Sequence, residues 1–216
     1  MVSFLLSILL YPSPKMAFSD HEIAQYDQLA STIHEGRLIH YQLPFHKARF
    51  LMYLSLKGKY VFHGSNNQHI ERFAPREQTL YNGELTKAVF ASSDPIWSMF
   101  FAIFNRSRLV GSFRNGCIIG RKKKYYFFSI NESTMKNEPW TEGAVYLLPR
   151  DQFTASGQGK LQFDELISRE PIIPIGKIHV SLDDFWFRHR IAMHKDNESL
   201  LKTWLLYKAR TLIGNP

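Results

Sequence analysis

From Pro95 to Phe104 the chain reads Pro-Ile-Trp-Ser-Met-Phe-Phe-Ala-Ile-Phe, a helix-length run that is apolar on every side, with Ser98 its one polar residue. A helix without a polar face cannot lie on a surface, so any fold this chain adopts has to bury it on most sides. Ser93-Asp94-Pro95 marks where it starts, because Asp94 can cap it and Pro95 suits its first position. The Ser98 hydroxyl then has two outlets: a carbonyl one turn earlier, or a ligand. Just upstream, Thr86 to Ser92 reads as a strand.

A second constraint is Tyr60-Val61-Phe62-His63-Gly64-Ser65, a β-branched and aromatic run that stops abruptly in three small or polar residues. It reads as a buried strand delivering those groups to its own end. Gly64 lets another backbone or a ligand come close, and frees its N–H and C=O to pair with something other than protein. Taken alone, the three residues read as a strand ending in a turn, with His63 hydrogen-bonded in the core.

The order of these elements resembles the ADP-ribosyltransferase superfamily, in the branch with a His-Tyr-Glu triad that includes the poly(ADP-ribose) polymerases. The residues carrying the resemblance are His63-Gly64-Ser65 at a strand end, Phe90-Ala91 at the next strand, and Ser98 with Phe101 three residues later in a helix. A glutamate ahead of a later strand completes the pattern, and Glu142 stands before Gly143-Ala144-Val145-Tyr146-Leu147-Leu148. The resemblance spans roughly 60–180 and implies an α+β fold: a split, mostly antiparallel sheet with flanking N-terminal and C-terminal helices. It divides the chain into an N-terminal helical extension over 1–58, a core over 59–180 and a C-terminal extension over 181–216.

It also implies NAD as co-substrate and a role for each matching residue. Glu142 would hold the ribose hydroxyls and stabilise positive charge as nicotinamide leaves. Gly64, with Ser98, would hold the carboxamide, Phe101 and Phe90 would stack on the pyridine ring, and His63 would bond a hydroxyl of the adenosine ribose. Ser65 adjoins these residues at the strand end, and Arg76 would meet the pyrophosphate through its fork of donors. Two departures matter: phenylalanine replaces both tyrosines of the pattern, and Trp140 stands where many arginine-modifying members have an acid. The implied activity is mono-ADP-ribosyl transfer to a macromolecular acceptor, a protein first, as in a bacterial-effector-like member. Alternatives are an NAD glycohydrolase toxin, an RNA 2′-phosphotransferase-like enzyme, and a non-catalytic module that binds ADP-ribose or a partner.

At 216 residues, one domain with helical extensions is expected. The single Cys117 excludes an internal disulfide and reads as a packed strand residue. A net charge of +8 favours acidic partners. Arg121-Lys122-Lys123-Lys124, placed at a hairpin tip, is a candidate nucleic-acid contact or simply a wet turn. The apolar run Val2 to Tyr11 is too short to span a bilayer, which leaves a chain without a membrane span, cytoplasmic or translocated as an effector.

Further expectations follow along the chain. Ser19 with Glu22 opens a helix that Gly36 can end; a second helix turns Ala48, Leu51, Met52 and Leu56 inward and stops at Gly58. Asn66 to Leu85 is a long loop, in which the resemblance implies a short helix over Gln68 to Arg72. Asn197 caps a last helix with Leu200, Leu201, Trp204 and Leu205 inward and Gly214 at its end, and Ser156-Gly157-Gln158-Gly159 forms a turn. Histidines lack metal-ligand spacing, and neither GxxxxGK[ST] nor GxGxxG is present, so an NAD site here would not sit on a Rossmann fold.

Overall fold

The structure is a computed structural model that describes residues 2–34, 36–81, 83–121, 123–157 and 161–213. Lys122, Gln158, Gly159 and Gly214, named above, lie outside the described residues. The helices are α1 (Val2–Leu9), α2 (Asp20–Ser31), α3 (Lys47–Leu56), α4 (Pro95–Ile103), α5 (Glu132–Lys136) and α6 (Leu200–Ile213). The strands of the first half are β1 (Tyr11–Pro12), β2 (Arg37–Leu38), β3 (Tyr60–Ser65), β4 (Arg76–Thr79) and β5 (Leu85–Ala91). Those of the second half are β6 (Phe113–Ile119), β7 (Lys124–Asn131), β8 (Gly143–Pro149), β9 (Thr154–Ala155), β10 (Gln162–Phe163), β11 (Leu166–Ser168), β12 (Gly176–Val180) and β13 (Ala192–His194).

The fold is α+β, and among the described residues all strand pairs are antiparallel except β2 with β12 and β13 with β7. One sheet runs β2-β12-β8-β3 and another β4-β5-β11-β9; the third is built on β1-β7-β6-β10, with β13 beside β7. A bridge between Phe62 and Ser92 joins the open edge of β3 to the end of β5.

Helix α4 sits where these parts meet. Asp94 accepts from the Trp97 N–H at 3.2 Å and Pro95 opens the first turn, so the start follows the capping chemistry read in the sequence. Ile96, Met99, Phe100 and Ile103 are fully buried in a core shared with α3, β7, β8 and β12. The helix backbone lies directly on the first sheet: a Cβ on Gly64 would fall on the Ser98 carbonyl oxygen, and one on Gly143 on that of Ala102. Glycine at both positions is thus a packing requirement, and the close approach anticipated at Gly64 is made by another backbone.

Several local expectations need correction. No helix forms over 68–72: Asn67 Oδ1 accepts from the His69 N–H at 2.9 Å, and the Tyr146 hydroxyl pins the loop by donating to the Asn67 carbonyl and accepting from the Ile70 N–H. Arg76 begins strand β4 and pairs with Ala88. Leu56, at the last turn of α3, is exposed, while Gly58 stops that helix at φ +68° as expected. Glu22 does not close a capping box; Ser19 Oγ takes its N–H, and its carboxylate binds Arg49 and Tyr26 instead. Ser199, not Asn197, caps α6, and the buried face of that helix carries Thr203 and Tyr207, leaving Leu200, Leu201 and Leu205 exposed.

The cation run also divides. Arg121 and Lys123 are exposed at the β6–β7 turn, but Lys124 is turned inward, 2.9 Å from Asp164 and 3.6 Å from Asp94. No helix among the described residues is long and apolar enough to cross a membrane.

Candidate functional site

Strand β3 presents different groups on its two faces and its edge. Antiparallel ladders alternate their hydrogen-bonding pairs. Phe62 spends its N–H and C=O on Ser92 at one edge, so Val61, His63 and Ser65 bond to β8, and Gly64 turns its own N–H and C=O to the Ser92 side. Beyond the single bridge at Ser92 that edge opens into a cleft of about 640 Å³, large enough for a cofactor-sized ligand.

Seven sequence-predicted residues line this one cleft: His63, Gly64, Ser65, Arg76, Phe90, Ser98 and Phe101. The His63 ring is half-buried, 4.6 Å from that of Phe73, and its Nδ1 is 2.6 Å from the Phe90 carbonyl oxygen. A carbonyl only accepts, so Nδ1 carries the proton. Burial pushes the imidazole below its ordinary pKa, more than the Phe90 bond raises it, and the charges of Arg106 and Arg76 act in the same direction as burial. The ring is therefore neutral near pH 7, with an Nε2 lone pair able to accept from a hydroxyl.

Ser98 resolves its two outlets inside the protein, donating to the Phe62 carbonyl at 3.0 Å with the Asp94 carbonyl at 3.3 Å. Toward the cleft it offers acceptor capacity only. Phe101 packs against Trp97 at 5.9 Å, and Trp97 is fixed by a 2.6 Å bond from its indole N–H to Asn115 Oδ1. Rigid aromatic walls of this kind suit a flat, conjugated ligand group.

Glu142 is the exception. It is exposed, does not line the cleft, and precedes the first residue of β8. Strand alternation carried one residue past Gly143 puts it on the face of Ala144 and Tyr146, whose partners across β3 are Ser65 and His63. His63 and Glu142 thus belong to one face of the sheet. His179, paired with Ala144 on β12, lies within the field of Glu142, although burial lowers its pKa overall.

Other lining residues were not singled out from the sequence: Phe73, Trp97, Arg72, Arg106 and Glu165. Glu165 accepts from the Tyr81 N–H at 3.3 Å, and burial pushes its carboxyl above the usual range. No short motif marks these residues. Tyr146 is not among the lining residues, but its hydroxyl fixes the loop over the cleft through the Asn67 carbonyl and the Ile70 N–H.

A second polar cluster lies at the start of α4. Asp94, Cys117 and Asp164 bring candidate metal-ligand atoms within 4.8 Å of one another. The Lys124 ammonium already lies against both carboxylates, and burial drives the Cys117 thiol well up, away from the thiolate a metal needs. Burial also works against the charge on Lys124, but Asp94 and Asp164 outweigh it and raise its pKa. Ser92 and Ser93 donate to Asp164, and Tyr126 donates to Asp94 at 2.6 Å, completing a network that locks the β6–β7 hairpin to α4.

In comparisons with known proteins, no family model, no curated protein and no solved structure matches the chain.

Proposed function

We propose that the cleft binds NAD and that the protein is a mono-ADP-ribosyltransferase, releasing nicotinamide and transferring ADP-ribose to a protein acceptor. The observation that carries this reading is the Gly64 edge: a backbone donor and acceptor directed side by side into a cleft walled by Phe101, Phe90 and Trp97. A primary carboxamide on a flat ring matches both features, since it has one acceptor and two donors. On this reading the β3 and β5 sheets, joined at the Phe62–Ser92 bridge, are the split sheet of such an enzyme.

The remaining groups fit the rest of the molecule. His63 Nε2 accepts from a ribose hydroxyl, and Arg76 with Arg72 supplies positive charge for the pyrophosphate. Glu142, an exposed carboxylate on the same sheet face as His63, comes to the ribose from the rim and stabilises developing positive charge there.

One observation favours a second reading. Because Glu142 does not line the cleft, the protein could be a module that binds an ADP-ribose-like ligand without cleaving it. Incubation with NAD separates the two. The enzymatic reading expects free nicotinamide, lost in Glu142→Ala; retained NAD binding without release in the native protein would favour the module.

A further inference from the structure

Helix α6 is built inside out. Its buried face carries Thr203 and Tyr207, and Arg210 pairs with the buried carboxylate of Glu198. Leu201, Leu205 and Leu212, spaced by four and seven residues, share the opposite face and stand in solvent, Leu201 at 69% and Leu212 at 74% exposure. Ile213 is exposed at the end of the helix as well. A single leucine on a surface is ordinary, whereas a stripe of them marks a face that meets something.

Helix α1 sets a second apolar face beside the first. Phe4, Leu5 and Ile8 are exposed, while Leu6, Leu10 and Tyr11 are buried and hold the segment in place. The ties between the helices fix which sides meet. The Lys208 ammonium donates to the Ser7 carbonyl at 3.0 Å, and the Tyr11 hydroxyl bonds Thr211 Oγ1 at 2.8 Å. Lys208 lies three residues after Leu205 and four before Leu212, so α1 borders the leucine stripe. Strand β1 follows α1 at once and pairs with β7, which builds this apolar exposure into the fold.

The charge on the surface selects what covers it. The chain from Val2 to Ser19 and helix α6 contain no aspartate or glutamate, whereas α6 contributes Lys202 and Lys208 next to the leucines. A second copy would set these cations against their own equivalents across a two-fold axis. An anionic bilayer meets both features, because its hydrocarbon boundary takes convex apolar side chains and its phosphates take ammonium groups. At about 1.5 Å per residue α1 is about 12 Å long and α6 about 21 Å, short of the ~30 Å hydrocarbon core. They can lie on a bilayer and not cross it. We propose that α1 and α6 together dock the protein on a membrane surface containing anionic phospholipid, with Phe4, Ile8, Leu201, Leu205 and Leu212 entering the headgroup boundary. None of these residues lines the cleft, so the proposal stands whether or not the cleft binds NAD.

To test it, the full chain is sedimented with vesicles of phosphatidylcholine alone and of phosphatidylcholine with about one-third phosphatidylserine. The expected result is binding to the anionic vesicles about tenfold or more stronger than to the neutral ones, and weakened by salt. Leu205→Glu combined with Leu212→Glu lowers that binding about tenfold or more, and Phe4→Ser combined with Ile8→Ser does so from the other helix. These side chains are exposed, so melting temperatures stay within about 2 °C of native. Leu205→Gln with Leu212→Gln serves if the first pair folds poorly. Arg121→Glu with Lys123→Glu, at the β6–β7 turn, leaves most of the binding in place. Binding lost in that pair but kept in the leucine and Phe4 variants overturns the proposal. So does equal binding to the two vesicles, or failure to sediment with either. A native dimer by light scattering, split into monomers by the leucine variants, overturns it in favour of a second copy.

Discussion

Two polar clusters flank helix α4, and they put similar chemistry to opposite ends. Around Asp94, Asp164 and Lys124 the charged and hydroxyl groups point at one another, and both carboxylates are almost fully buried. Around β3 the His63 Nε2, the Gly64 edge and the Arg106 guanidinium point into the cleft. The first cluster has side chains of metal-ligand type, yet its geometry is that of a clamp. The second is assembled from a histidine, a glycine and aromatics, and it alone leaves directed hydrogen-bonding capacity over. Directed, unspent capacity marks recognition more reliably than residue type does.

That contrast predicts which substitutions damage folding and which damage binding. The largest effect belongs to Lys124→Ala, which leaves two carboxylates buried against each other; about 3–5 kcal/mol of stability should be lost in urea unfolding. A variant within 1 kcal/mol of native, roughly the net worth of an exposed ion pair, would mean the clamp is no clamp. Gly64→Ala should come next, at about 1–3 kcal/mol, because the new methyl displaces the α4 backbone. It should also abolish nicotinamide release, since the shifted helix carries Ser98 and Phe101.

His63→Ala sharpens the other side of the comparison. Stability should change by no more than about 1.5 kcal/mol, while KM for NAD rises about three- to tenfold, the worth of one neutral hydrogen bond. Melting curves and nicotinamide-release kinetics on the same preparations check both halves; a large stability loss with unchanged KM would move His63 into the clamp class.

The pH dependence of stability concerns a third buried site, His194, bonded to Ser129 Oγ at 2.9 Å and Ser112 Oγ at 3.0 Å. Burial, helped by Arg114, lowers its pKa to about 4. A histidine whose folded pKa is depressed contributes stability that is complete above about pH 6.5 and is lost as pH falls toward 4. Unfolding free energy should therefore decline across that window, and His194→Gln should flatten the decline. An unchanged slope would assign it to other groups.

Much of this was legible in the chain because the signals were local. The Asp94 cap, the Pro95 start and the all-round apolar run fix α4, and the register of β3 places His63 and Gly64 where the short motif suggested. What escaped depended on distant partners. Tyr146 holds the loop over the cleft through Asn67 and Ile70, more than seventy residues away, and nothing in the loop's composition discloses it. In α6 the leucines outlined one inward face, but Tyr207 donates to the Arg190 carbonyl, and Arg210 pairs with the buried Glu198. Those polar anchors turned a different face to the core and left Leu201, Leu205 and Leu212 outside. No sequence motif marks Arg106, because stacking on Phe101 and Phe113 requires the fold to bring both rings together.

The most direct measurement follows the backbone amide of Gly64 by nuclear magnetic resonance while nicotinamide, and then NAD, is titrated into the native protein. With a carboxamide bound at the β3 edge, the Gly64 amide shifts most, Ser98 and Phe101 shift with it, and the clamp residues Tyr126 and Asp164 stay still. A Gly64 amide that does not move while the protein is saturated with NAD, or shifts gathered elsewhere, would contradict the assignment of this cleft.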